Sequence, residues 1–145
     1  MEQNQLTITL KALPDDSLSS GHIKLYAFVE THSPAISDTD TGSVPVGCVE
    51  LYNYDPINRR AAVGLVVSNE YRHHGYGTAI IQALTSFCIH NTGLHQIYAD
   101  ITATNQPSIR IFQKNGYRLC ATMHDWVVRG DGYVDTLRFQ LILPR

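Results

Sequence analysis

Residues 61–67 read AAVGLVV, a run with no polar side chain on either face. A strand of that kind needs cover on both sides, which places it at the centre of a sheet. It is followed by SNEYRHHGYGT, a loop with two glycines, Gly75 and Gly77, that opens into a segment of helical period. Over 78–91 the apolar residues Ile80, Leu84, Phe87 and Cys88 recur at helical spacing, and Gly93 is placed to stop the helix.

The other segments arrange themselves around that unit. Residues 6–10, 23–29 and 44–52 read as strands; in the last, Cys48, Glu50 and Tyr52 share one face, Val49 and Leu51 the other. Residues 55–58 (DPIN) form a turn, and 96–103 return to strand. Residues 105–115 read as a helix, with Thr104 or Asn105 as cap, Pro107 in the first turn and Gly116 at its end. Residues 117–143 alternate and break at 129–132 (RGDG), the pattern of a hairpin. Residues 31–43, rich in Ser, Thr, Asp, Pro and Gly, read as a surface loop. The expected fold is α+β, a mixed and mostly antiparallel sheet with two main helices that follow strands. At 145 residues the expectation is one domain, 1–145.

Composition excludes some functions. A net charge of −2 argues against a generic nucleic-acid binder. Residues 1–70 carry nine acids and four bases, and residues 71–145 seven bases and four acids. The basic half could meet an anionic ligand and the acidic half a cationic one; scatter in a small count is the plain alternative. Cys48, Cys88 and Cys120 lie too far apart for a disulfide framework or a zinc site, and read as reduced thiols of a cytoplasmic protein. The opening MEQNQLTITL is not a signal peptide, and no apolar stretch is long enough to span a membrane.

The loop after the central strand carries the chemistry. A helix start has several unpaired backbone N–H groups and a partial positive charge, and glycines let a ligand approach the backbone closely. Together they suit phosphate or pyrophosphate, and Arg72 adds a permanent charge. The bland alternative is a helix start with a glycine turn. A dinucleotide fingerprint would need glycine where Ile80 stands, and a P-loop would need Gly-Lys-Ser or Gly-Lys-Thr, which is absent.

Val67-x-x-x-x-Arg72-x-x-Gly75-x-Gly77 resembles the acetyl-CoA pyrophosphate loop of the GCN5-related N-acetyltransferase (GNAT) superfamily. Asn105-x-x-Ser108-x-x-Ile111-Phe112-x-Lys114-x-Gly116-Tyr117 resembles that family's next block, at the expected distance. Leu94-His95-Gln96-Ile97-Tyr98-Ala99 and Gly130-Asp131-Gly132-Tyr133-x-Asp135 are similar to the branch that acetylates ribosomal-protein N-termini and polyamines. The resemblance is collinear from about Val44 to the C-terminus. It implies a splayed pair of central strands with acetyl-CoA, the acetyl donor, in the gap. Leu65, Val66 and Val67 would offer backbone groups to the pantetheine arm and thioester. Arg72, His73, His74, Gly75, Tyr76, Gly77 and Thr78 would hold the pyrophosphate. Asn105 would bond the pantetheine amide, with Ser108 one turn along; as a lone residue Asn105 reads as a plain helix cap, and the roles can coexist.

Acetyl transfer to an amine requires the amine to lose a proton, the oxyanion to meet donors and the thiolate to leave. Family members often protonate the thiolate from a tyrosine at the position of Phe112, and phenylalanine has no proton to give. The thiolate then leaves unassisted, another hydroxyl such as Tyr52 or Tyr133 serves, or turnover is weak. Glu50 is the candidate base, the only acid in the apolar 44–51 strand; an ordinary outward-facing glutamate is the alternative. Glu70 is a candidate for shaping the loop, and Asp125, Trp126 and Asp135 could line an acceptor site, though each reads first as a core or turn residue. His73 and His74 have no second ligand cluster, and no metal is expected.

The function implied is an N-acetyltransferase acting on an amine-bearing small molecule or a peptide N-terminus by direct attack in a ternary complex. The alternative is an acyl-CoA-binding regulatory or interaction module with little or no turnover. Pairing of edge strands into a homodimer is compatible with the pattern. The family places one or two helices between its first two strands, walling the acceptor site; here only 11–22 join them. The N-terminal helices are thus expected to be reduced, with the acceptor site open, completed by a partner subunit or missing.

Overall fold

The computed structural model describes residues 8–12, 21–30 and 43–144. The loop expected over 31–43, apart from Ser43, and most of the 11–22 connection lie outside the described residues. Among the described residues seven strands form one sheet in the order β1-β2-β3-β4-β5-β7-β6. They are β1 (Ile8–Ala12), β2 (Ile23–Glu30), β3 (Ser43–Asp55), β4 (Arg60–Val67), β5 (Gln96–Thr102), β6 (Arg118–Arg129) and β7 (Gly132–Ile142). Every neighbouring pair is antiparallel except β4 with β5. Helix α1 (Tyr76–Asn91) crosses from β4 to β5, and α2 (Gln106–Lys114) follows β5. The expected α+β architecture with two helices after strands is the observed one.

Alternation on the strands builds the core. Ile23, Leu25 and Ala27 of β2, Val49 and Leu51 of β3, and Ile97, Ala99 and Ile101 of β5 are buried with Ile80, Ile81, Leu84 and Cys88 of α1 and Phe112 of α2. Each large apolar side chain taken from water contributes about 1.5–3 kcal/mol. Val46 is also fully buried, three residues before Val49, which strict alternation forbids. A bulge explains it. Ala27 pairs with Gly47 while Phe28 pairs with Pro45, so Val46 has no register partner and turns inward.

Three local readings change. Helix α1 starts at Tyr76, two residues before the expected 78, because Gly75 caps it in the left-handed region at φ 82°. It is not stopped by a left-handed Gly93: Thr92 takes an extended conformation and its hydroxyl donates to the Cys88 carbonyl at 2.6 Å. Third, the apolar strand is covered only in part. Ala61, Ala62 and Val63 are buried, but Val66 is 57% exposed.

Candidate functional site

The exposure of Val66 has a structural cause. β4 and β5 pair only through Arg60–Gln96, Ala61–Ile97 and Ala62–Tyr98, although the strands continue to Val67 and Thr102. Beyond Ala62 they diverge, and the backbone groups of β4 that face β5 have no strand partner. Such groups require another partner or water. Two cavities occupy the divergence, one of about 590 Å³ and one of about 210 Å³, meeting at Leu65, Asn105 and Ser108.

The larger cavity runs from Leu65, Val66 and Val67 along the loop to α2. Ser68 N–H donates to the Val46 carbonyl at 2.9 Å, continuing the β3–β4 pairing, and a single 3-10 turn, Asn69–Tyr71, follows. Arg72 Nε donates back to the Val67 carbonyl at 3.1 Å, so this side chain fixes the loop as well as charging it. His73 and Gly75 both take positive φ, 66° and 82°. No side chain caps α1 and no acid lies in its first turn, which leaves its first amides and the positive end of its dipole to a ligand.

Helix α2 supplies the opposite wall. Asn105 Oδ1 accepts from Ser108 N–H at 3.3 Å, which makes Asn105 a true cap and leaves its amide nitrogen for a ligand. Pro107, Arg110, Ile111 and Lys114 also line the cavity. Their spacing of i, i+3, i+4 and i+7 is one helix face, a signal the sequence carried and motif matching passed over. With Arg72, three cations line this cavity, and no carboxylate does so among the described residues. Gly77 admits the tip of Ile111, since a Cβ there would sit 2.6 Å from Ile111 Cδ1.

Ten of the twelve residues expected to hold the cofactor line the larger cavity: Leu65, Val66, Val67, Arg72, His73, Gly75, Gly77, Thr78, Asn105 and Ser108. The His74 side chain is exposed and outside it. Tyr76 packs edge-on against Tyr71 at 5.4 Å and belongs to the core margin.

The smaller cavity lies in the strand gap, between Val63, Gly64 and Leu65 of β4 and Ala99, Asp100, Ile101 and Thr102 of β5, with Tyr52 and Phe112 as its aromatic walls. Asp100 accepts two hydrogen bonds from Arg138, at 2.7 and 2.9 Å, and Arg138 stacks over Tyr98 at 4.5 Å. Burial, and after it the Asp100 carboxylate, pushes the Tyr52 phenol above its ordinary pKa. Sequence reasoning missed Asp100, because no local spacing shows that β5 meets Tyr52 across β4.

The structure brings the remaining candidates elsewhere. Glu50 lines neither cavity; it lies 3.1 Å from His22 Nε2 and 3.7 Å from Lys24 Nζ. Glu70 is exposed on the 3-10 turn. Tyr133 and Trp126 are 63% and 65% exposed on the β6–β7 hairpin, away from both cavities. Asp135 accepts from the Asp125 amide at 2.9 Å and lies 3.2 Å from His124 Nδ1, so it holds the β6 bulge. The three cysteines are unpaired: Cys88 is buried with its thiol pushed up to about 12, Cys120 is exposed and Cys48 half-buried. Among the described residues no three His, Cys, Asp or Glu gather as metal ligands, and no helix is long and apolar enough to cross a membrane.

The family described as acetyltransferase (GNAT) domain matches residues 15–118. Spermidine N(1)-acetyltransferase of Escherichia coli (strain K12) is 26% identical over 85 residues, covering 58% of this chain and 46% of that protein. The chain thus spans about half the length of the curated relatives it matches. A solved structure of spermidine N-acetyltransferase from Vibrio cholerae, in complex with CoA and spermine, superposes with a TM-score of 0.72 at 15% identity, over 86% of this chain and 67% of that one. The ribosomal L7/L12 alpha-N-protein acetyltransferase RimL gives 0.72 at 16% identity, over 86% and 72%. A dodecameric form of the Vibrio cholerae enzyme gives 0.71 at 16%, over 85% and 66%. At these identities the structural likeness is one of fold.

Proposed function

Because the chain belongs to the GNAT acetyltransferase family, we propose that it moves an acetyl group from acetyl-CoA to a primary amine, by direct attack in a ternary complex. One observation carries this reading: the larger cavity joins the half of β4 that β5 leaves unpaired to an uncapped helix N-terminus, lined by Arg72, Arg110 and Lys114 and by no carboxylate among the described residues. A long ligand with an anionic end and an amide-bearing arm fits that sequence of surfaces.

The first-turn amides from Tyr76 to Thr78 and the loop from Arg72 to Gly75 would take the pyrophosphate, with Arg110 and Lys114 adding charge from the facing wall. The strand groups of Leu65, Val66 and Val67 and the free amide nitrogen of Asn105, with Ser108 beside it, would take the pantetheine arm. An unpaired β4 N–H would also stabilise the oxyanion formed when the amine attacks. The smaller cavity would receive the acceptor. Asp100 offers it a carboxylate already paired with Arg138. No base is assigned, since an amine of pKa about 10.4 can lose its proton to water, with turnover rising as pH rises.

The reading extends to a single domain over 1–145 and to a cytoplasmic setting, supported by three unpaired thiols. The relatives' names support a polyamine-like molecule or a peptide N-terminus as acceptor. Exposed Leu119, Trp126 and Val128 on edge strand β6 support a homodimer, which sedimentation tests. Phe112 favours the second reading, an acyl-CoA-binding module without turnover. Calorimetric titration with acetyl-CoA, followed by thiol release over a panel containing spermidine and N-terminal peptides, separates them. Binding with release supports the enzyme; binding without release favours the module; no binding defeats both.

A further inference from the structure

We propose that Tyr52 donates the proton taken up by the departing CoA thiolate, the task for which Phe112 has no hydroxyl; the inference rests on the acetyl-transfer reading above. Three observations converge. The first is place. Tyr52 pairs in register with Ala62, the last β4 residue that β5 holds, so its side chain stands where the strands part. Its ring lies over Gly64, where a Cβ would be in contact at 3.6 Å, and it lines the smaller cavity together with Phe112.

The second is that Tyr52 is the one phenol lining the smaller cavity among the described residues; Tyr71 lines only the larger one. Phe112 is 2% exposed and packed edge-on against Tyr117 at 4.9 Å. Tyr133 is on the exposed hairpin, outside both cavities. Thr102 and Ser108 line the gap, but an aliphatic hydroxyl is far too weak an acid. A phenol, ordinarily near pKa 10, is within about two units of a thiol near 8.5.

The third is environment. Burial and the Asp100 carboxylate favour the neutral phenol, Tyr98 and Glu50 act in the same direction, and Arg138 acts against them. Tyr52 thus rests in the protonated form from which a proton can be given, while being a weaker acid than a free phenol. The step balances. The amine lone pair forms the C–N bond, the C–S pair departs onto sulfur, and sulfur takes the Tyr52 proton. The phenolate then regains a proton from the nitrogen that has become the amide, so amine and thioester give amide and thiol with no further reactant.

The test compares wild type, Tyr52→Phe and Tyr52→Phe/Phe112→Tyr for melting temperature, acetyl-CoA affinity and thiol release with an amine the wild type accepts. The expected result is unchanged folding and CoA affinity in both variants. Turnover in Tyr52→Phe falls about 10²-fold, the lower end for a general acid, and rises at least about tenfold when the hydroxyl is restored from position 112. Retained turnover in Tyr52→Phe overturns the inference. So does a loss that Phe112→Tyr fails to rescue while folding and binding persist, which would make Tyr52 a packing residue. Wild-type binding without release for any amine would instead defeat the acetyl-transfer reading beneath it.

Discussion

Glu50 turns its carboxylate to His22 and Lys24, and these neighbours come from β2 and the residue just before it, not from the gap. Reading 44–52 as a strand placed Glu50 correctly on the face of Tyr52; what the face held beside it depended on register with a strand more than twenty residues away. Glu50→Gln is therefore expected to keep turnover within about threefold, not the roughly 10²-fold drop that loss of a general base brings. Its stability should change by less than about 1 kcal/mol, since partly exposed pairs contribute little. Steady-state rates across pH and a denaturation curve check both. Asn105 was legible as the cap of α2 and as a residue lining the cavities, because both places belong to the same helix start. The exposed side of Val66 was not. An apolar run looks alike whether packed residues or a ligand-sized gap cover it.

Elements fix the gap through close approaches. At the β3 bulge, a Cβ on Gly47 would run into the Val66 carbonyl oxygen and lie 3.1 Å from Val67 Cα. These are backbone atoms of the strand lining the larger cavity, and they cannot swing aside. Gly47→Ala is expected to cost about 1–3 kcal/mol in a urea titration and to weaken acetyl-CoA binding as β4 shifts. On the facing wall, Arg110→Ala and Lys114→Ala should each weaken acetyl-CoA about tenfold in calorimetry, a difference that shrinks as salt is raised. Equal affinity at low salt would remove these residues from the ligand site. The β6 bulge depends on Asp135, whose carboxyl the Asp125 amide, with further help from His124, holds below its ordinary pKa. A depressed folded pKa stabilises above the unfolded value, near 3.9, and the benefit disappears as pH falls through the folded one. Melting temperatures of wild type and Asp135→Ala should thus differ at pH 7 and converge below pH 4.

Across the molecule, the two cavities differ in how the chain builds them. The larger comes from two nearly continuous stretches, from Leu65 to Thr78 and from Asn105 to Lys114, so local motifs exposed most of it. The smaller needs Tyr52, Asp100 and Phe112 from three elements, and Arg138 from a fourth to hold Asp100, a combination that only the sheet order assembles. The same division predicts how defects combine. Asp100→Asn removes a carboxylate from the smaller cavity, the proposed acceptor side, and should raise the acceptor KM about fivefold with CoA affinity unchanged. Arg110→Ala should do the reverse. The residues share no hydrogen bond, and each lines only its own cavity. Independent sites add in free energy to within about 0.5 kcal/mol, so the double variant's loss in kcat/KM should equal the product of the single losses within about twofold. A larger departure would mean that the cavities are coupled through the residues they share, Leu65, Asn105 and Ser108, with Asn105 the natural carrier because its cap bond fixes the start of α2. In that case Asn105→Ala should abolish the departure while Ser108→Ala leaves it in place, since Asn105 bonds the Ser108 backbone amide and not its hydroxyl.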